Sequence, residues 1–220
     1  MNRLVCIATL ALIAHSVTTK LAQADLILNG SFENTTGGLP DNWVSTGNLQ
    51  VISAQGETHG ANALAFSFAN LASDGVTSQT FGTIAGASYS LEFDFGKYSI
   101  NQPLEIARLQ VDVFDGTGVG GLQILNQLVI DGTPGTGDPD STDSASVYAP
   151  FQFGFIASGT MSTLRFADLS DPQSVGGGFD AMLDNVRVSA VPEPSAFAFL
   201  GLSTFAMFVR LKRRLFVCQD

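Results

Sequence analysis

The chain has 220 residues, 45% hydrophobic and 14% charged, with twenty Asp and Glu against ten Lys and Arg for a formal charge of −10. That balance excludes nucleic acid as a partner, since a phosphate-binding surface needs a basic patch. The 23 glycines and 17 phenylalanines point to a loop-rich β protein rather than a helical one.

The charge is unevenly placed. Six of the ten basic residues, Arg3, Lys20, Arg210, Lys212, Arg213 and Arg214, sit at the two ends. At the N-terminus Arg3 supplies a positive start and residues 4–14 form an uncharged apolar run. Ala22-Gln23-Ala24 then has the small-x-small pattern of a cleavage site. The apolar run is too short to span a bilayer permanently. Residues 1–24 therefore read as a cleaved signal peptide, which makes signal peptidase and the general secretion machinery partners of the chain.

Residues 25–190 have the size of one domain. Period-two alternation runs through them. In "SYSLEFDFG" Leu91, Phe93 and Phe95 share one face, and Glu92 and Asp94 the other. In "RLQVDVF" Leu109, Val111 and Val113 oppose Gln110 and Asp112. Similar runs cover 63–69, 76–84, 122–130, 147–156, 161–167 and 181–189, separated by Gly-, Asn- or Asp-rich turns. About nine or ten short strands and no sustained helical period predict an all-β, two-sheet sandwich. The longest turn-rich piece, 131–146, is a surface loop. Its Asp138, Asp140 and Asp143 are either solvated or a weak calcium site, their spacing departing from the calcium loop D-x-[DN]-x-[DN]-G.

Catalytic chemistry is poorly provided for. The domain holds one histidine, His59, and no cysteine, so a Cys-His pair is impossible and a Ser-His-Asp triad would have to use His59. No serine lies in G-x-S-x-G, and no amphipathic helix follows the glycines of "GTGVGG" at 116–121. A glycosidase needs only two carboxylates. Glu92 and Asp94, about 7 Å apart as alternate strand residues, are the pair such a hydrolase would use. A binding module needs less: aromatic rings to stack on the apolar faces of sugars, with amides and carboxylates for the hydroxyls. Tyr98, Tyr148 and Trp43 are the candidate platforms, although Trp43, following "LPDN", also suits a place under the first strand turn.

The opening "NGSFE", the following "LPDNW", the segment "THGANAL" and the closing "LDNV" together resemble galactose-binding-like jelly rolls, including carbohydrate-binding modules. The resemblance implies a jelly-roll β-sandwich and a structural calcium tying the first strand to the last. The matching positions are Glu33, Glu57 and Asp184, with carbonyls near Ser31 and Gly60. No organic cofactor is implied.

The chain closes with Pro192-Glu193-Pro194, an uncharged apolar stretch over 195–209, the basic cluster of Arg210, Lys212, Arg213 and Arg214, and a short tail at 215–220. Fifteen helical residues span roughly 22 Å, short of a ~30 Å hydrocarbon core. Such a helix is a marginal membrane stop with its arginines on the cytoplasmic side. The prolines keep the preceding peptide extended. These elements at 191–214 resemble the PEP-CTERM sorting signal of Gram-negative bacteria, a region also labelled an ice-binding-protein C-terminal domain. The resemblance implies recognition by an exosortase-type membrane protease, transient insertion in the inner membrane, and delivery to the cell surface or biofilm matrix. The tail "LFVCQD" departs from the pattern, and an ordinary C-terminal anchor is the alternative.

The sequence thus predicts an exported, non-enzymatic β-sandwich that binds carbohydrate or exopolysaccharide. The alternatives are a structural matrix protein without a ligand and a polysaccharide hydrolase. Residues 25–190 retain four basic residues (Lys97, Arg108, Arg165 and Arg187) against eighteen acidic ones, and both Cys6 and Cys218 lie outside them. The exported domain is therefore strongly acidic and free of disulfides.

Overall fold

A computed structural model describes residues 24–53, 57–68, 72–99, 106–131, 147–170 and 179–192. Most of the expected signal peptide, the acidic residues Asp138, Asp140 and Asp143, and the expected sorting segment from Glu193 onward lie outside these residues. No helix among the described residues is long and apolar enough to cross a membrane.

The described chain is all β. Its strands are β1 (Thr35–Thr36), β2 (Leu39–Pro40), β3 (Val44–Thr46), β4 (Leu49–Ser53), β5 (Asn62–Phe66) and β6 (Val76–Gly82). They continue as β7 (Ser88–Ser99), β8 (Ala107–Asp115), β9 (Gln123–Asp131), β10 (Val147–Ile156), β11 (Met161–Asp168) and β12 (Phe179–Ala190). Two five-stranded sheets form, in the orders β10-β7-β12-β5-β4 and β3-β6-β11-β8-β9, beside a small β1-β2 ribbon. Non-sequential neighbours in both sheets, such as β7 beside β12, are the crossovers of a jelly roll.

Alternation decides which side chains enter the space between the sheets. Leu91, Phe93 and Phe95 from β7 meet Leu109, Val111 and Val113 from β8 and Leu164 and Phe166 from β11 in one buried cluster. Phe93 sits at its centre, 5.6 Å from the ring of Phe151 and 5.3 Å from that of Phe166. Each such aromatic removes some 150–250 Å² from water, which lets a sandwich without cysteines hold together.

One irregularity matters for function. In β12 Ala181 and Leu183 point inward, and the register against β7 shifts between Asp184 and Arg187. Asn185 sits in this bulge at φ 55°, a left-handed conformation that Asn tolerates better than most residues. The extra residue resets the alternation, so Val186 and Val188 enter the core while Asp184 and Arg187 stay with the opposite face.

A candidate ligand-binding face

The outer face of the sheet β10-β7-β12-β5-β4 carries a second, smaller apolar cluster. Ala63 and Ala65 of β5 and Met182 of β12 are fully buried there, covered by Ile52, Phe68, Tyr98 and Tyr148. Register explains the grouping. One row across the sheet runs Tyr148, Gly96, Met182, Ala65, Gln50, small or flexible residues in the middle and a tyrosine at one end. Tyr98 lies two residues along β7 from Gly96, opposite Asp180. Two tyrosines fifty positions apart in sequence thus come to cover one floor of small side chains.

The next rows are acidic. Pro150, Asp94 and Asp184 align across β10, β7 and β12, and beyond them Gln152, Glu92 and Arg187. Asp94 Oδ2 accepts a hydrogen bond from Asn185 Nδ2 at 3.0 Å. Glu92 Oε2 is 3.3 Å from Arg187 Nη2, and Gln152 Nε2 donates to Glu92 Oε1 at 3.1 Å. Rows two residues apart are about 7 Å apart, so the acids border the tyrosine platform directly.

The Tyr148 hydroxyl is buried and has no hydrogen-bond partner. Burial, reinforced by Asp184, Glu57 and Asp94 in that order, pushes its ionisation well above the usual tyrosine range. A neutral phenol therefore points into a strongly negative field.

Trp43 takes the packing role and not the platform role. It is 7% exposed, lies 5.6 Å from Phe32 and 6.2 Å from Phe166, and donates its indole N–H to the Asn29 carbonyl at 3.2 Å. With its ring inside the sandwich and its only polar atom satisfied, it has nothing to offer a sugar.

Glu33 and Asp184 meet at one loop. Asp184 Oδ2 accepts from the N–H groups of Thr58 (2.9 Å) and His59 (2.8 Å) and from the Thr58 hydroxyl, while its Oδ1 accepts from Asn185 N. Burial raises the Asp184 carboxyl above its ordinary value, opposed by these hydrogen bonds. Glu33 Oε1 accepts from Ala61 N at 2.8 Å and Asn62 N at 3.0 Å. Gly60 completes the clamp: its φ is +86°, and an added Cβ would fall 2.2 Å from Glu33 Oε1.

Calcium takes about six to eight oxygen ligands. The oxygens of Glu33 and Asp184 named here are instead faced by N–H groups, whose positive ends repel a cation. Among the described residues no three His, Cys, Asp or Glu side chains converge to hold a metal. As arranged, Glu33 and Asp184 fit a loop clamp and do not fit a calcium shell. Glu57 belongs with the acids near Tyr148. His59 is exposed and enters the clamp through its backbone N–H.

Tyr98 and Tyr148 were legible as candidates, whereas Met182, Ala63, Ala65 and Gly96 were not, since small residues signal a floor only once their register is known. No family model matches the chain and no curated protein matches it. Among solved structures it is similar to a carbohydrate-binding module, TmCBM61, in complex with beta-1,4-galactotriose, at TM-score 0.51 and 14% identity over 77% of this chain and 100% of that one. It is also similar to the K1 cleaved adhesin domain of Lys-gingipain from Porphyromonas gingivalis (TM-score 0.49, 14% identity, 74% and 96% covered). A third likeness is to the CBM22-1 xylan-binding domain of Paenibacillus barcinonensis Xyn10C (TM-score 0.46, 15% identity, 78% and 97% covered). The chain has the two-sheet jelly-roll fold of carbohydrate-binding modules.

Proposed function

We propose that this protein is an exported, non-enzymatic surface or matrix protein whose sandwich binds polysaccharide on the outer face of β10-β7-β12-β5-β4. The observation that carries the reading is the gathering of Tyr98 and Tyr148 over Gly96, Ala65, Ala63 and Met182, with carboxylates alongside. Aromatic rings supply stacking surface and the neighbouring Glu92, Asp94 and Gln152 supply hydrogen-bonding groups for hydroxyls. The similarity of the whole domain to a galactotriose-bound module supports the same reading.

A hydrolase is disfavoured by the surroundings of its two candidate acids. Glu92 is engaged by Arg187 and Gln152, and Asp94 by Asn185. Both carboxylates are thus already occupied as acceptors within the sheet. Export and surface sorting rest on the two terminal signals, including Pro192, Glu193, Pro194 and the cluster Arg210 to Arg214.

Binding is tested by titrating a panel of polysaccharide oligomers into the wild-type chain and into Tyr98→Ala and Tyr148→Ala. Saturable binding that falls at least tenfold in both variants is expected. Equal binding in all three proteins would remove this face as the site. Sorting is tested by mass spectrometry of the mature termini: a new N-terminus at Asp25 and loss of the basic cluster are expected, and a C-terminus intact to Asp220 would overturn it.

A further inference from the structure

We infer that one end of the sandwich, formed by the β6–β7, β8–β9 and β10–β11 turns and the close of β12, is the surface on which the domain rests against a lipid bilayer. The inference rests on the reading of 195–209 as a membrane stop and names the part of the fold that meets the membrane.

Hydrogen bonds gather these segments into one surface. Gly86 N donates to the Ala157 carbonyl at 2.7 Å, Ala157 N to the Ala87 carbonyl at 3.1 Å, and Thr83 N to the Thr160 carbonyl at 2.9 Å. Gly116 N donates to the Met161 carbonyl at 2.8 Å, and Ser158 N to Asp115 Oδ1 at 3.0 Å, which brings in the β8–β9 turn. Val191 N donates to the Ser88 carbonyl at 2.7 Å and fastens the close of β12 to the start of β7.

The surface is apolar and uncharged. Ile84, Val119, Leu122, Ile156, Met161 and Val191 are six of the twelve large apolar side chains exposed among the described residues, with Ile84 and Leu122 70% and 69% exposed. Residues 82–91, 116–123, 153–164 and 188–192 contain no Asp, Glu, Lys, Arg or His. Asp115 borders the surface and is held by Ser158, and Asp25 nearby accepts from the N–H groups of Ile27 and Val188. Exposed apolar residues scattered singly are ordinary, whereas residues gathered on one uncharged end mark an interaction surface.

Charge collects at the other end. Asp74 precedes β6 there, Asp168 closes β11 and Asp180 lies at the start of β12. The connections from β7 to β8, β9 to β10 and β11 to β12 add Glu105, Asp138, Asp140, Asp143 and Asp171 in sequence. Lys97 and Arg108 belong to that end too, each with an interaction of its own, and the acids outnumber them. A bilayer carrying anionic lipid repels the acidic end and so turns the uncharged one towards itself.

The length of the chain selects lipid as the occupant. Three residues, Pro192, Glu193 and Pro194, separate Val191 from the apolar stretch that begins at Ser195. Four residue steps reach at most about 14 Å whatever their conformation. With 195–209 in the bilayer, the close of β12 is therefore held at the headgroup layer in every copy of the chain. A second copy of the chain is supplied to this end by nothing comparable.

The test places the full chain in vesicles of phosphatidylethanolamine and phosphatidylglycerol and reads quenching of a fluorophore by headgroup nitroxides. The label sits at Ala85→Cys in the β6–β7 turn or at Leu169→Cys beyond β11, both exposed, in a Cys6→Ser, Cys218→Ser background. Strong quenching at position 85 and none at 169 is expected, unchanged by added salt because the contact is apolar. Ile84→Asp or Leu122→Asp, each at a side chain already in water, is expected to abolish the quenching at position 85 while the chain still floats with the vesicles. Flotation with equal quenching at the two labels, or with quenching that survives both Asp variants, overturns the inference and leaves the membrane stop standing. Cross-linking between chains through Ala85→Cys in place of quenching also overturns it, assigning the end to a second copy. A chain that does not float removes both readings.

Discussion

Asp94 and Asp184 face each other across neighbouring antiparallel strands, the one steadied by Asn185 Nδ2 and the other by the N–H groups of Thr58, His59 and Asn185. Each carboxylate has donors of its own, and neither has a basic side chain between them. The pair is therefore tolerated locally and leaves net negative charge on the face.

Asp94→Asn is expected to raise stability by about 0.5–1 kcal/mol, because it removes a cross-strand repulsion while the amide oxygen can still accept from Asn185. Denaturant titration at neutral pH reads this directly. A loss of stability would mean that the Asp94 charge is part of what holds the bulge.

Asp184→Ala is expected to cost about 3 kcal/mol, since it strips several donors of a charged acceptor and leaves N–H groups of a loop without partners. Glu33→Ala, at a more exposed position, is expected to cost about 1 kcal/mol. The N–H groups already fill the role that an ion would play between the first and last strands. Melting temperature is therefore expected to be the same in calcium and in excess chelator. A fall of several degrees on chelation would show that an ion ties these edges instead.

How much of this was legible in the sequence follows from what kind of signal each part leaves. Strands β7, β8 and β10 were plainly visible because apolar residues recur at every second position, and Leu91, Phe93 and Phe95 all point where that alternation put them, whereas β6 fills its inward row with Thr77, Gln79 and Phe81 and left a weaker signal. Strands β1 to β3 were missed because two or three residues carry no period. β4 was missed although Leu49 and Val51 alternate correctly, since five residues between glycine-rich turns are a short signal. Tyr98 and Tyr148 could be named but not joined: their meeting depends on the pairing of β10 with β7, and the loop between β9 and β10 gives no register. The bulge left a trace, the break of alternation at Asp184-Asn185-Val186, which reads as a fault in the strand until the structure supplies its reason.

Trp43→Ala is expected to destabilise by about 3–5 kcal/mol through the cavity left between Phe32 and Phe166. Trp43→Phe keeps most of the volume and loses the bond to the Asn29 carbonyl, so about 1–2 kcal/mol is expected. Neither residue 43 nor its neighbours touch the outer cluster, and glycan affinity of the folded Phe variant is expected to equal that of wild type. Weaker binding there, with unchanged melting behaviour, would put Trp43 back in the site.

Asp180, at the start of β12 opposite Tyr98, makes the fold itself pH-dependent. Burial first, and the charge of Asp168 second, push its carboxyl from an ordinary 3.8 up to about 7. Below about pH 4 both folded and unfolded chains hold this proton and the residue has no effect on stability. Between about 4 and 7 the unfolded chain releases it while the folded chain keeps it, so the contribution to stability falls as pH rises, and it levels off above about 7. The ceiling on this loss is about 4 kcal/mol. Because other carboxylates titrate as well, the informative quantity is the difference between Asp180→Asn and wild type. The two are expected to melt together near pH 4 and to separate progressively towards pH 8, the variant being the more stable. A constant difference across that range would mean that Asp180 keeps an ordinary pKa, held charged by a partner that burial alone does not reveal.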